Sequence, residues 1–328
     1  MIEKRLSMRD GRRLVKPSAY GGLAIILFLL PLFLKSPYWF HILIITFVYI
    51  IATVSLRVIT ISGQFPLAHA AFMGIGAYAS AVLSKELGWS PWLTIPLGAV
   101  VATGIGVLIG YPFARLRALY YAMVSLFFGV GVIQVLYVFQ RWTGGYSGLM
   151  GIQPLLSATT YKLPYYYFFL GLTLVCLLAL YRFEFCRIGI SMKAIAQSHM
   201  VASSVGINEA RYRVVALAVG CFFVGLAGAA YAHYNLTLSF TSFDMLATLW
   251  LFMYTLIGGI GSFAGPIVGT AVLFLIPEIF RELKEFLPYL SAAILFIVVF
   301  VMPQGLVGLP QLVRSWFVEL RKRAAHAS

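Results

Sequence analysis

The chain has 328 residues; 61% of them are apolar and only 10% are charged, although the net charge is +14. A soluble domain carries about 25% charged residues and could not bury so much apolar surface. These proportions exclude a soluble globular enzyme, a disordered chain and a disulfide scaffold. They predict a polytopic membrane protein, and the length of its apolar runs indicates that it is all-α.

Ten apolar runs predict about ten transmembrane segments, each bounded by charged or turn-forming residues. A tail of residues 1–18 precedes them, one transmembrane domain fills 19–308, and a tail of residues 309–328 follows. The stretch 243–280 fits either two crossings or one crossing with a re-entrant piece. The predicted segments are roughly 19–34, 39–56, 63–84, 91–113, 118–140, 164–181, 214–234, 243–257, 262–280 and 289–308.

The distribution of Lys and Arg predicts the orientation of these segments. With both tails in the cytoplasm, ten alternating segments place 18 of the 24 basic residues inside and 6 outside. Positive charge at the flanks of apolar runs is typical of membrane topology and not of nucleic-acid binding. The bias favours two crossings at 243–280, a cytoplasmic loop at 182–213 and an external loop at 141–163.

No hydrophilic part of the chain is large enough for an ATPase or a ligand-binding domain. The longest internal one, 182–213, has 32 residues, whereas an independent domain needs about 50. The sequence contains no Gly-Lys pair, so it lacks the phosphate-binding loop of nucleotide-driven motors. If a nucleotide powers this protein, another subunit binds it.

The stretch 62–78 is the strongest candidate for an element that lines a pathway. Pro66 breaks or kinks a helix, and a broken helix at membrane depth needs protein or water around its freed polar groups. His69 is the one titratable side chain that the sequence places deep in a segment. The alternative is that His69 bonds a neighbouring helix and that the glycines serve helix packing. The candidate pathway residues are Gln64, His69, Phe72, Gly74, Gly76 and Tyr78.

A second broken or re-entrant helix is predicted near 257–269, where glycines and a proline separate two short apolar runs. The string 74–80 also resembles the string 259–265. Matching interrupted segments in two halves of a chain are a feature of transporters, so the likeness suggests a weak internal repeat. The predicted helix-break residues are Pro66, Gly258, Gly259 and Gly261.

Both long loops have features beyond those of a simple linker. The external loop 141–163 is turn-rich and aromatic, and it forms either a lip for an external partner or an ordinary connection. In the loop 182–213, residues 188–205 predict one short amphipathic helix that Gly206 ends. Its apolar face fits either a groove on a soluble motor or the membrane surface. That face comprises Ala194, Ile195, Met200, Val201 and Val205.

Several motifs resemble, in the same order, those of the permease subunits of branched-chain amino acid ABC transporters. Gly63-Gln64 and the run from Ala68 to Tyr78 carry the clearest likeness. The resemblance spans roughly 40–310, nearly the whole chain. The other matching stretches are 116–123, 142–149, 189–208, 227–234 with 257–262, and 303–308.

The resemblance implies an inner-membrane permease subunit of an importer for branched-chain amino acids, with urea, short amides or aromatic amino acids as alternative substrates. It implies a second related permease, two cytoplasmic ATP-binding subunits and a periplasmic or lipid-anchored binding protein as partners. It assigns ATPase coupling to residues on and after the loop helix, namely Ala194, Ile195, Met200, Val201, Gly206, Ile207 and Asn208.

The chain departs from the family pattern at the loop, where Ala196-Gln197-Ser198-His199 replaces residues that are commonly charged. This change puts the usual ion pairs with the ATPase in doubt. We predict no catalytic residue, no metal site, no cofactor and no nucleic-acid partner, and therefore a transport permease and not an enzyme. A stand-alone channel or secondary carrier is less favoured, because no carboxylate falls near the centre of a predicted segment.

Overall fold

The structure is a computed structural model that describes residues 27–32, 36–116, 118–156 and 162–279, together with positions 296 and 306. It is almost entirely helical, as an all-α membrane protein requires. The main helices are α1 Pro37–Thr60, α2 His69–Leu87, α3 Pro91–Phe113, α4 Ala118–Val138, α5 Leu163–Phe185, α6 Arg187–Gln197, α7 His199–Ser204, α8 Glu209–Asn235, α9 Met245–Gly258 and α10 Ala264–Ile279.

Several helix ends follow directly from the local sequence. Pro37 occupies the first turn of α1, where its missing N–H has no helical partner to lose. The side chain of Asn208 caps α8 by accepting from the backbone N–H of Arg211, at 3.1 Å. Asp244 caps α9 in the same way, through the N–H of Ala247 at 2.9 Å. Gly88 ends α2 in the left-handed conformation, with φ of +66°.

Short elements join the helices at one end of the bundle. A helical turn, Gln140–Thr143, and 3-10 turns at Gly145–Ser147 and Phe240–Phe243 lie there, and another 3-10 turn lies at Leu30–Leu32. Strands β1, Leu149–Met150, and β2, Thr237–Leu238, pair antiparallel. We call the end of the bundle that carries these strands the hairpin end. The opposite end, which carries α6 and α7, is the loop end.

The core is built around α1 and α8, which pack against each other and against most of their neighbours. In the most apolar stretch of α1, 94% of the residues are buried, against 17% in α4. Helix α4 therefore lies at the periphery of the bundle. Helices α2, α3 and α8 pack closely because glycines meet backbone along their contacts.

Six helices in the described residues are long and apolar enough to cross a membrane: α1, α3, α4, α5, α8 and the helix of residues 240–258. Helix α2 is buried, but its mean hydropathy is too low for it to be counted among them. Helix α10 is apolar but too short. The predicted segment 289–308 and most of 19–34 lie outside the described residues. The structure therefore confirms a helical polytopic membrane protein, but it does not confirm a total of ten segments.

The two suspected repeat strings adopt different backbone conformations. Residues 74–80 lie in the middle of α2, whereas 259–263 form the non-helical turn between α9 and α10. A structural repeat would give both strings the same local fold. The sequence likeness of 74–80 to 259–265 therefore comes from small residues that lie within a helix in the first string and largely in a turn in the second.

Candidate substrate pathway and coupling loop

The chain is not helical between α1 and α2. Residues 61–63 form a turn in which Gly63 has φ of +83°, and residues 64–66 are irregular. The backbone at Gly63 faces Ala196 of α6, since a Cβ at Gly63 would lie 3.5 Å from the Cα of Ala196. Pro66 lies within this irregular segment. Gln64 is buried, and its Oε1 finds no hydrogen-bond partner in the described part of the chain.

His69 is fully buried at the first residue of α2 and bonds to α1. Its Nε2 lies 3.1 Å from the carbonyl oxygen of Ala52 and 3.0 Å from Oγ of Ser55. A carbonyl oxygen accepts only, so Nε2 carries the hydrogen. The structure thus places His69 at a contact between two helices, which is the packing alternative raised by the sequence.

The other predicted pathway residues on α2 divide between packing positions and a cavity. A Cβ at Gly76 would overlap the backbone of Gly225 on α8, and a Cβ at Gly74 would lie 3.0 Å from the side chain of Phe243. Phe72 is buried, with its ring centroid 5.4 Å from that of Phe128. These three residues therefore lie in helix contacts.

Tyr78 contributes to an apolar cavity of about 680 Å³ between α2, α3 and α4. Its hydroxyl donates to the carbonyl oxygen of Leu238, at 3.4 Å. Among the described lining residues Tyr78 alone carries a hydroxyl, so the cavity suits an apolar side chain. The lining residues are Ile75, Tyr78, Ala79, Val82, Leu83, Val101, Ile105, Phe128, Gly131, Val132, Val135 and Leu136.

The loop helix predicted at 188–205 is two helices, α6 and α7, which corrects the prediction. The chain turns at Ser198, whose φ and ψ of −160° and 108° are extended. Its hydroxyl accepts from the N–H of Val201, at 3.5 Å, and so begins α7. A side chain that caps a helix competes with continuation of the preceding helix.

The break divides the predicted coupling residues into an inner and an outer group. Ile195 is 3% exposed and packs into the bundle, so it is not part of an outward apolar face. Met200, Val201 and Val205 on and beside α7 are 73%, 64% and 71% exposed. Ala194 and Ile207 are half-buried, whereas Gly206, with φ of +81°, and Asn208 are exposed.

A buried ion-pair network at the loop end was not predicted from the sequence. Arg57 of α1 and Glu184 of α5 are 2% and 1% exposed, and both terminal nitrogens of Arg57 donate to the Glu184 carboxylate. Lys193 of α6 binds Glu184 Oε1 at 2.7 Å. Arg57 and Glu184 are 127 positions apart, so the only signal of their pairing in the sequence is a charge at the edge of each apolar run.

A second buried histidine, His233 of α8, corrects the prediction that His69 alone lies deep in a segment. Its Nδ1 donates to the carbonyl oxygen of Gln153 at 2.7 Å, and its Nε2 lies 2.9 Å from Ser80 Oγ. Thr94 Oγ1 lies 3.1 Å from the same Nε2. This cluster ties the segment after β1 to α2, α3 and α8 at the hairpin end.

The second predicted break lies between α9 and α10. Gly258 ends α9, Gly259 follows with φ of +106°, and Gly261 lies in the turn that precedes α10. Cβ atoms at Gly258 and Gly265 would each overlap backbone of the other helix. The two helices therefore approach one another closely. Neither here nor elsewhere do the described residues contain a group of three His, Cys, Asp or Glu side chains that could hold a metal ion.

These features define a multi-pass helical membrane protein with a close-packed glycine-rich core and an exposed apolar loop at one end. The chain belongs to the family described as branched-chain amino acid transport system / permease component, whose sequence model matches residues 38–303. The family predicted from the motifs is thereby confirmed.

Two kinds of relative support this assignment. The high-affinity branched-chain amino acid permease LivM of Salmonella typhimurium is 27% identical, over 95% of this chain and 82% of that protein. LivM of Escherichia coli is also 27% identical, over 82% and 70%. LivH of Escherichia coli is 29% identical over 143 residues, which cover 42% of this chain and 46% of LivH. No solved structure matches the chain significantly.

Proposed function

We propose that this chain is a membrane-spanning permease subunit of an ATP-binding-cassette importer. Its substrates would be branched-chain or similar hydrophobic amino acids, delivered by an external binding protein. The observation that carries the proposal is the family match over 38–303, together with LivM relatives that align along most of the chain. Urea, short amides and aromatic amino acids are the alternative substrates.

The proposed partners follow from the same relationship. LivH matches 42% of the chain, which supports pairing with a second, related permease. Two ATP-binding subunits would supply the energy from the cytoplasm, and a periplasmic or lipid-anchored protein would supply the substrate. The chain would lie in the bacterial inner membrane with both termini in the cytoplasm, as its basic residues favour.

The loop end would face the cytoplasm and dock on an ATP-binding subunit. Met200, Val201 and Val205 support this role, because three large apolar side chains exposed on a polar loop favour a partner groove. Gly206, Ile207 and Asn208 would fix the path from α7 into α8. Ala194 and Ile195 would instead attach the loop to the membrane domain.

The apolar cavity beside Tyr78 is the proposed part of the pathway that accepts the substrate side chain. A branched aliphatic side chain gains free energy on entering an apolar space of this kind. Gln64 and His69 would shape the pathway at its loop end through the non-helical segment before α2. Phe72, Gly74 and Gly76 would support it by holding α2 against α4, α8 and the 3-10 turn at Phe240–Phe243.

Uptake by the reconstituted transporter tests the proposed function. We expect proteoliposomes with this chain, its paired permease, the ATP-binding subunits and the binding protein to accumulate labelled leucine only when ATP is supplied. Flux through the chain alone, without ATP or binding protein, would indicate a channel or secondary carrier. Competition by unlabelled valine, phenylalanine and urea separates the alternative substrates.

Filling the apolar cavity should slow transport without disturbing the fold. Gly131 lines the cavity, and a Cβ there would meet no atom within 4 Å. We expect Gly131→Leu to lower leucine uptake by about tenfold, because one misplaced aliphatic group in an apolar site has an effect of that size. The measurement is the initial rate of uptake per folded transporter.

Gly104→Leu is the matched control for that change. Gly104 lies on α3 in equally open space, and it is not among the residues that line the cavity. Uptake by this variant should equal that of the unmodified chain. If both leucine variants transport normally, the cavity is not on the substrate pathway.

A further inference from the structure

The network of Arg57, Glu184 and Lys193 connects four separate parts of the molecule. Arg57 belongs to α1, Glu184 to the last turn of α5, and Lys193 to α6. Arg57 Nε also donates to the carbonyl oxygen of Ile260, at 2.9 Å, in the turn between α9 and α10. One chain of hydrogen bonds therefore links α6 to that turn, which we call the 259–263 turn.

The inner pair of this network is rigid. Arg57 binds Glu184 through two terminal nitrogens, a bidentate arrangement that fixes both distance and orientation. Its Nε binds Ile260, and its guanidinium lies over the ring of Phe263, 5.9 Å from the centroid. Each of the three guanidinium nitrogens thus donates to Glu184 or to the turn.

Lys193 is the adjustable member of the network. Its side chain is 36% exposed, whereas those of Arg57 and Glu184 are almost fully buried. The ammonium binds Glu184 at 2.7 Å and lies 4.7 Å from the ring centroid of Phe185. Because lysine is a flexible point charge, its ammonium can follow a movement of α6 while it remains bound to the Glu184 carboxylate.

The 259–263 turn is well placed to respond to such a change. It joins α9 and α10, and Gly259 at its start has φ of +106°. Its other hydrogen bonds are local. Gly259 N–H donates to the carbonyl oxygens of Leu256 and Thr255, Ser262 N–H donates to that of Gly259 at 3.4 Å, and Gly265 N–H donates to the Ser262 hydroxyl and carbonyl oxygens. Within the described part of the chain, Arg57 alone gives the turn a hydrogen bond from outside α9, α10 and the turn itself.

We propose that Arg57, Glu184 and Lys193 are positioning residues that transmit displacement of the α6–α7 loop to the 259–263 turn. The proposal rests on the proposed function, because the displacement would come from an ATP-binding subunit docked on α7. When the loop moves, the Lys193 ammonium displaces the Glu184 carboxylate to which it is bound. Because Arg57 is bound rigidly to that carboxylate, its guanidinium moves too and displaces the backbone at Ile260.

Lys193→Gln tests the proposal without leaving a buried charge unpaired. Two measurements are made on the full chain in nanodiscs and in the complete transporter. Hydrogen exchange at the amides of residues 259–263 should rise several-fold in the chain alone. The ratio of leucine transported to ATP hydrolysed should fall about two- to thirtyfold, the range typical of changes in coupling networks.

Two further variants serve as controls. Lys193→Arg keeps the positive charge beside Glu184 and should restore most of both readouts. Arg187→Gln removes one positive charge from the exposed surface of the same helix, where no carboxylate of the described residues pairs with Arg187. It should leave exchange at 259–263 and the transport ratio unchanged.

Two results would overturn the positioning role. One is unchanged exchange at 259–263 in Lys193→Gln, and the other is an equal fall of the transport ratio in Lys193→Gln and Arg187→Gln, which indicates a surface-charge effect. Failure of the proposed function is recognised separately, by the absence of ATP-dependent leucine uptake in the unmodified transporter. The exchange measurement on the chain alone decides the structural link in either case.

Discussion

Replacing Glu184 with alanine should destabilise the folded chain by about 3–5 kcal/mol, because the change leaves Arg57 buried without its carboxylate. Arg57 is 2% exposed and lies in α1, the most deeply buried of the candidate spans. Arg57 would keep its hydrogen bond to the carbonyl oxygen of Ile260, but no other carboxylate in the described part of the chain pairs with it. The expected result is a fall of roughly 10 °C in the apparent Tm of the solubilised chain, measured by the fraction that remains monodisperse after heating.

Glu209→Ala is the matched control, since it also removes a carboxylate from an Arg–Glu pair. Glu209 is partly exposed, and its partner Arg213 keeps hydrogen bonds to the carbonyl oxygens of Ala114 and Leu116, at 3.3 and 3.2 Å. Its loss should cost no more than about 1 kcal/mol. Equal stability of Glu184→Ala and Glu209→Ala would contradict the larger effect expected for the buried Arg57–Glu184 pair.

The double variant Arg57→Met with Glu184→Leu adds a further check. Removing both charges leaves no unpaired ion, so its loss of stability should be smaller than the sum of the two single changes. A loss equal to that sum would mean that the two side chains do not interact.

The sequence predicts the membrane class, the family and the approximate positions of most described helices, because these depend on local composition and on short motifs. It does not predict the pairing of Arg57 with Glu184. The two residues are separated by 127 positions, and the sequence pattern indicates only that each is a charge at the flank of a span. Only the packing of α1 against α5 brings them together.

The coupling loop illustrates a second limit of sequence reasoning. Apolar periodicity over 188–205 predicts one helix, but Ser198 caps a new helix in place of continuing the old one. The break separates the buried Ile195 from the exposed Met200 and Val201. Periodicity identifies residues that could share a face, whereas a local side-chain hydrogen bond decides whether the helix that carries the face is continuous.

The glycines of α2 raise a related question, because the sequence assigns Gly74 and Gly76 to the substrate pathway and the structure places both in contacts. We expect Gly76→Ala to destabilise the chain by about 3 kcal/mol or more, beyond the usual effect of overpacking. A methyl group at Gly76 would overlap the backbone of Gly225, and backbone cannot rotate away as a side chain can. Helices α2 and α8 would have to separate. Heat stability of the solubilised chain measures the effect.

Two other glycine variants make this result specific to helix packing. Gly74→Ala should have a smaller effect, because its Cβ would lie 3.0 Å from the side chain of Phe243, which can shift. Gly104→Ala on α3 meets no atom within 4 Å and should be neutral or stabilising, since alanine favours a helix over glycine. If Gly76→Ala were as stable as the unmodified chain, the contact of α2 with α8 would not be a tight packing constraint, and loss of uptake in that variant would favour a role for Gly76 in the pathway.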